Sequence, residues 1–110
     1  KKALFIPDID KWKAWEVDIR ELIKEVDYAF LDATFFDGDE LPGRNMNSIP
    51  HPFVVESMAH FANLSQKDKN KIYFIHLNHT NPLLNPQSSA SKKVEEAGFN
   101  IAREKLAFRL

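Results

Sequence analysis

The stretch Lys71 to Pro82, KIYFIHLNHTNP, constrains this chain more than any other. Ile72, Tyr73, Phe74 and Ile75 are consecutive β-formers with no polar alternate, the pattern of a strand covered on both faces. Pro82 has no N–H to give a ladder and stops the pairing. Between strand and proline stand His76, Asn78, His79, Thr80 and Asn81, so an imidazole falls at the carboxyl edge of a sheet. In open α/β sheets ligands and catalytic groups gather at that edge, where the backbone turns out into loops. The bland alternative is a strand ending in a polar turn, with His76 hydrogen-bonded and chemically idle.

Other segments supply the rest of an α/β layer. Ala3 to Ile6 reads as a short buried strand stopped by Pro7, and Asp10 as the N-cap of a helix from Trp12 to Val26. Its apolar stripe is Trp12, Trp15, Ile19, Leu22, Ile23 and Val26. Asp27 to Phe36 reads as a second buried strand, interrupted by Asp32. A carboxylate among Phe30, Leu31, Ala33 and Phe35 is costly without partners, or else it caps backbone N–H groups of the following turn. Residues 37–50 form a polar connection longer than most, a length associated with function or mobility. His51-Pro52 opens a helix to about Leu64, with Pro52 in its first turn. His60 lies on that helix and reads as a packed or exposed histidine. Gln66 to Asn70 is a polar turn, and Ser88 to Ala97 a last helix closed by Gly98. Phe99 to Ala102 and Lys105 to Leu110 read as two short terminal strands. The order β-α-β-α-β-α-β(β) is that of an α/β layer.

The chain's 110 residues, 44% of them hydrophobic with nine Phe and two Trp, suffice for one domain. A net charge of −1 gives no electrostatic reason to expect nucleic acid or an anionic membrane. Without cysteine there is no disulfide, thiolate metal site or Cys nucleophile, so a metal would rest on His and carboxylates. No apolar run approaches the roughly 18 residues of a spanning helix. Compartment stays open, with cytoplasm as the default expectation. The chain enters a strand almost at once, and the expectation is a single partial domain over 1–110, resumed partway through a larger fold.

Asp8, Asp32 and His76 each follow one of the first three strands, and His51 opens the helix after the second. If those strand ends are neighbours, the four groups approach one rim. Oxygen and imidazole donors without sulfur suit zinc, manganese or iron of a hydrolytic site. A catalytic zinc takes about three protein ligands plus water, and these residues alone are too few.

The pieces Phe5-Ile6-Pro7-Asp8, Leu31-Asp32-Ala33-Thr34-Phe35, Pro50-His51-Pro52 and Phe74 to Pro82 come in the order found in the second half of the metallo-β-lactamase fold. The late piece resembles the IHxNxTNP of the PqqB-like branch, and the Asp-Ala-Thr-Phe piece resembles the Glu-Ala-Thr-Phe box of the tRNA 3′-processing endonucleases. The resemblance implies the second half of an αββα sandwich, a mixed sheet with three helices on one face. It implies a metal-dependent hydrolase activating a metal-bound water, with a divalent metal (zinc, or manganese or iron) and two ions in a full-length protein. By the same likeness Asp8 and His76 are metal ligands, Asp32 and His51 a catalytic pair, and His79 and Asn78 substrate-facing groups or supports behind the ligands. The chain departs from the family in having Asp32 where the endonuclease box has Glu, and in lacking the HxHxDH motif that supplies most ligands. An intact binuclear site cannot form from these residues alone, and the chain by itself is expected to be inactive. The expected partners are a missing amino-terminal half of the same fold, packed on the uncovered sheet face, and a small-molecule substrate. A homodimer would cover that face instead. The competing function is a non-catalytic scaffold or interaction domain that keeps the fold without a complete metal site.

Overall fold

Among the described residues four short strands run side by side in the order of the chain. The computed structural model describes residues 2–6, 9–12, 18–41, 43–45 and 48–103. The strands are β1 (Ala3–Ile6), β2 (Tyr28–Asp32), β3 (Ile72–Ile75) and β4 (Asn100–Ile101), in sheet order β1-β2-β3-β4. The helices are α1 (Ile19–Glu25), α2 (Val54–His60), α3 (Gln66–Lys69) and α4 (Ser89–Glu96). Every pairing among the described residues is parallel, with Ile6 opposite Leu31, Leu31 opposite Phe74, and Phe74 opposite Ile101. The mixed sheet expected from the sequence is thus parallel over the strands described. Each connection returns through helix, which is what parallel neighbours require. The terminal strand read over Lys105 to Leu110 lies outside the described residues.

One sheet face carries the core. Ala29, Leu31, Ile72, Phe74 and Ile101 are buried there against Ile19 and Ile23 of α1, Val54 of α2, and Ala90 and Val94 of α4. The opposite face is aromatic. Phe5, Tyr28, Phe30 and Tyr73 form a run of ring contacts with centroids 5.8–6.4 Å apart, and Phe5 keeps 67% of its surface exposed. Strands expected to be buried on both faces therefore alternate, one face closed and the other half-buried.

Two helices begin later than their periodicity predicts. The α1 helix starts at Ile19, because Asp18 is extended and its carboxylate accepts the Arg20 N–H at 3.0 Å, an N-cap arrangement. The Arg20 side chain folds back onto the same carboxylate and holds the Asp18 carboxyl below its ordinary range. Trp12, read as the start of that helix's buried stripe, is buried before α1 with its indole N–H donating to Ser57 at 2.7 Å, and Trp15 lies outside the described residues. In α2 the cap is Phe53, extended and with its N–H held by Glu56, so Pro52 and His51 precede the helix. The α4 helix matches its expectation: Ser88 caps it, Ala97 ends it, and Gly98 follows at φ +100°, where a side chain would be strained.

Candidate functional site

The parallel order puts the carboxyl ends of β1, β2 and β3 along one edge. At the end of β2 the Asp32 carboxylate is fully buried. Its Oδ1 accepts the Thr34 N–H at 2.9 Å and the Thr34 hydroxyl at 2.7 Å. Its Oδ2 accepts the Ile9 N–H at 3.1 Å and lies 2.7 Å from His51 Nδ1. The turn-capping role and the paired role foreseen for Asp32 thus coexist. Four donors fill the acceptor positions of its two oxygens, which leaves it no room to ligate a metal.

The placement of His51 follows from α2. The first N–H groups of a helix have no partner inside it, and here Val54 and Val55 give theirs to the carbonyls of Phe35 and Phe36 at 3.0 and 3.1 Å. That docks the segment before the helix beside the end of β2. Phe35 fits between the His51 and Phe53 rings, edge-on to both, and the His51 side chain keeps 19% exposure.

His76 follows β3 directly and takes φ +64°, the only non-glycine at positive φ among the described residues. Such a backbone is uncommon outside glycine, although histidine is one of the residues enriched there. The chain on either side is fixed. Ala33 N–H donates to the Ile75 carbonyl at 2.8 Å, and Asn78 N–H to the Thr34 carbonyl at 2.9 Å. His76 Nδ1 thereby lies 3.1 Å from Thr34 Oγ1, with the ring exposed. A continuous path of polar contacts results: His51, Asp32, Thr34, His76.

The rest of the late motif is tied into the turn by hydrogen bonds of Asn81 and Asn78. Asn81, buried to 2% exposure, gives its amide hydrogens to the carbonyls of Ala33 and Thr34 and accepts the Leu83 N–H. Asn78 donates to the Thr80 hydroxyl, which donates to Glu40, and Glu40 also binds the N–H groups of Phe36 and Asp37. His79 is exposed, and no described hydrogen bond joins it to Asp32, His51 or His76. Asp8 lies outside the described residues. Thr34, which sequence reasoning had not singled out, is the link between the two histidines.

A metal fits these side chains only in part. Among the described residues no three His, Asp or Glu side chains approach one another closely enough to hold an ion. Asp32 is saturated, and the His76 imidazole is a donor that the described residues present on the rim. The described residues therefore do not make a metal site by themselves. No helix among them is long and apolar enough to cross a membrane.

No family model matches the chain. Along its full length it is 29% identical to coenzyme PQQ synthesis protein B of Gluconobacter oxydans, and over 84% of its length 28% identical to that of Methylobacterium nodulans. It spans 37% and 33% of those proteins, about a third of their length. A crystal structure of zinc-bound PqqB from Methylobacterium extorquens superposes on the whole chain with a TM-score of 0.78 at 24% identity, using 40% of that protein. The chain is PqqB-like in sequence and has the PqqB fold.

Proposed function

We propose, from this likeness and from the rim geometry, that the chain is the carboxyl-terminal, rim-bearing part of a PqqB-like protein of PQQ synthesis, a metal-dependent hydrolase of the metallo-β-lactamase fold. The observation that carries the reading is the 2.7 Å contact between His51 Nδ1 and the buried Asp32 carboxylate. A carboxylate accepts only, so Nδ1 carries the hydrogen and Nε2 is the nitrogen through which His51 exchanges a proton with a bound small molecule. Asp32 keeps the ring from turning. A divalent metal such as zinc supplies Lewis-acid activation of water when bound. For this ion His76 offers one ligand and, by the family resemblance, Asp8 another, with the remaining ligands from the further chain that the relatives possess. That further chain would pack on the aromatic sheet face.

The alternative is a scaffold or interaction domain that keeps the fold without a complete metal site. Calorimetric titration of zinc into the full-length protein decides between them. The hydrolase reading expects stoichiometric binding, weakened at least about tenfold by His76→Ala. It also expects cleavage of an activated phosphodiester or ester probe that His51→Ala lowers by about a hundredfold or more. Full-length protein that takes up no zinc and cleaves no probe supports the scaffold.

A further inference from the structure

Two groups meet the Thr34 hydroxyl, which has one hydrogen to give. Oγ1 lies 2.7 Å from Asp32 Oδ1 and 3.1 Å from His76 Nδ1. A carboxylate oxygen has nothing to donate, and a hydrogen bond from a hydroxyl to a charged acceptor is stronger and shorter than one to a neutral ring nitrogen. The shorter contact is the one to Asp32, so the Thr34 hydrogen points there. Towards His76 the hydroxyl offers only lone pairs.

We infer that Thr34 is a positioning residue for His76: its hydroxyl accepts a hydrogen bond from His76 Nδ1–H and so leaves Nε2 bare and turned to the rim. The inference deepens the proposed function, resting on the reading of His76 as a rim ligand, and adds a residue that reading does not contain. The backbone holds Thr34 to the task. Its carbonyl is taken by Asn78 N–H at 2.9 Å and by the Asn81 amide at 3.2 Å, and its own N–H by Asp32 at 2.9 Å. The imidazole is presented from a backbone at φ +64° that the same contacts impose. A neutral imidazole binds a metal through the nitrogen that lacks hydrogen, and the contact made by the other nitrogen chooses which one that is. The same carboxylate therefore orients both histidines: His51 directly, and His76 through Thr34.

The tautomer can be read without any metal. In chelator-treated full-length protein, with the ring neutral, long-range nitrogen–proton correlation spectra should show His76 hydrogen-bearing at Nδ1. Thr34→Ser, which keeps the hydroxyl, should preserve that pattern. Thr34→Val, nearly equal in shape, should lose it, moving the hydrogen to Nε2 in a large share of molecules, and should weaken zinc about tenfold or more. A wild-type ring bare at Nδ1 overturns the inference, as does Thr34→Val with a native backbone spectrum and an unchanged tautomer. If Thr34→Val does not fold, the wild-type and Thr34→Ser spectra decide, Nε2–H in either counting against it. Should His76→Ala bind zinc as wild type does while the tautomer behaves as expected, the ligand reading falls and the role of Thr34 stands.

Discussion

Asp32 takes part in four hydrogen bonds with two atoms, which makes it the most demanding residue on the rim. An amide in its place presents one oxygen and one NH2 group, so either the Thr34 pair or the Ile9 and His51 pair meets a donor instead of an acceptor. Leaving buried donors unmatched beside a lost charge costs about 2–4 kcal/mol. Denaturant unfolding of Asp32→Asn is expected to show a loss of that size, whereas a change under about 0.5 kcal/mol would mean the carboxylate is not the hub described. Much of this site was legible from residue type. A carboxylate amid Phe30, Leu31, Ala33 and Phe35 needs partners on physical grounds alone, and His51 stood out by opening the helix after the second strand, while its pairing with Asp32 was what the family resemblance implied. Thr34 was not legible, since its second partner stands 42 residues away and a lone hydroxyl after a strand has no periodicity. The available signal was its spacing: a hydroxyl two residues past an acid can bind that acid. Asn81 was read as part of a turn, and only its burial shows that its side chain fastens that turn to β2.

Between elements the clearest tie outside the rim is Lys71, at the start of β3. Its ammonium meets Asp68 of α3 at 2.7 Å and the last carbonyls of α1, Ile23 and Lys24, at 3.2 and 3.3 Å. A cation there also faces the negative end of the helix dipole. The hydrogen bond from Lys71 is the largest influence on Asp68 and holds its carboxyl below the ordinary value of 3.8. A carboxyl with a depressed folded pKa contributes stability above its unfolded pKa and loses it as pH falls through the folded one. The stability gap between wild type and Asp68→Asn is therefore expected to stay level from pH 8 to 5, at about 0.5–1 kcal/mol for so screened a pair, and to close as pH drops below about 4. Thermal melts of both proteins across that range test it, and a gap that widens in acid would contradict the pairing. At this scale the sequence erred at helix starts. Periodicity marks which residues face the core, but Asp18 and Phe53 cap α1 and α2 through hydrogen bonds that a hydrophobic pattern does not record.

Across the whole molecule the helices and one sheet face share a core, and the other sheet face shows its aromatic rings, with Phe5 most exposed on the outermost strand. An exposed apolar side chain on an edge strand invites association. The 110-residue chain in isolation is expected to self-associate in sedimentation experiments, and Phe5→Lys to shift it towards monomer. A chain that is monomeric at high micromolar concentration with Phe5 intact would remove that expectation. The sheet order has a further meaning for a protein made from its amino end. Because β1, β2, β3 and β4 lie in the order in which they are synthesised, each new strand can be laid against one already emerged, and none must be inserted between two others. Asp32 leaves the ribosome 19 residues ahead of His51, and Thr34 42 residues ahead of His76. The nascent chain thus carries the acceptor first and receives its two imidazoles one after the other, so the path from His51 to His76 closes only when the third strand has arrived.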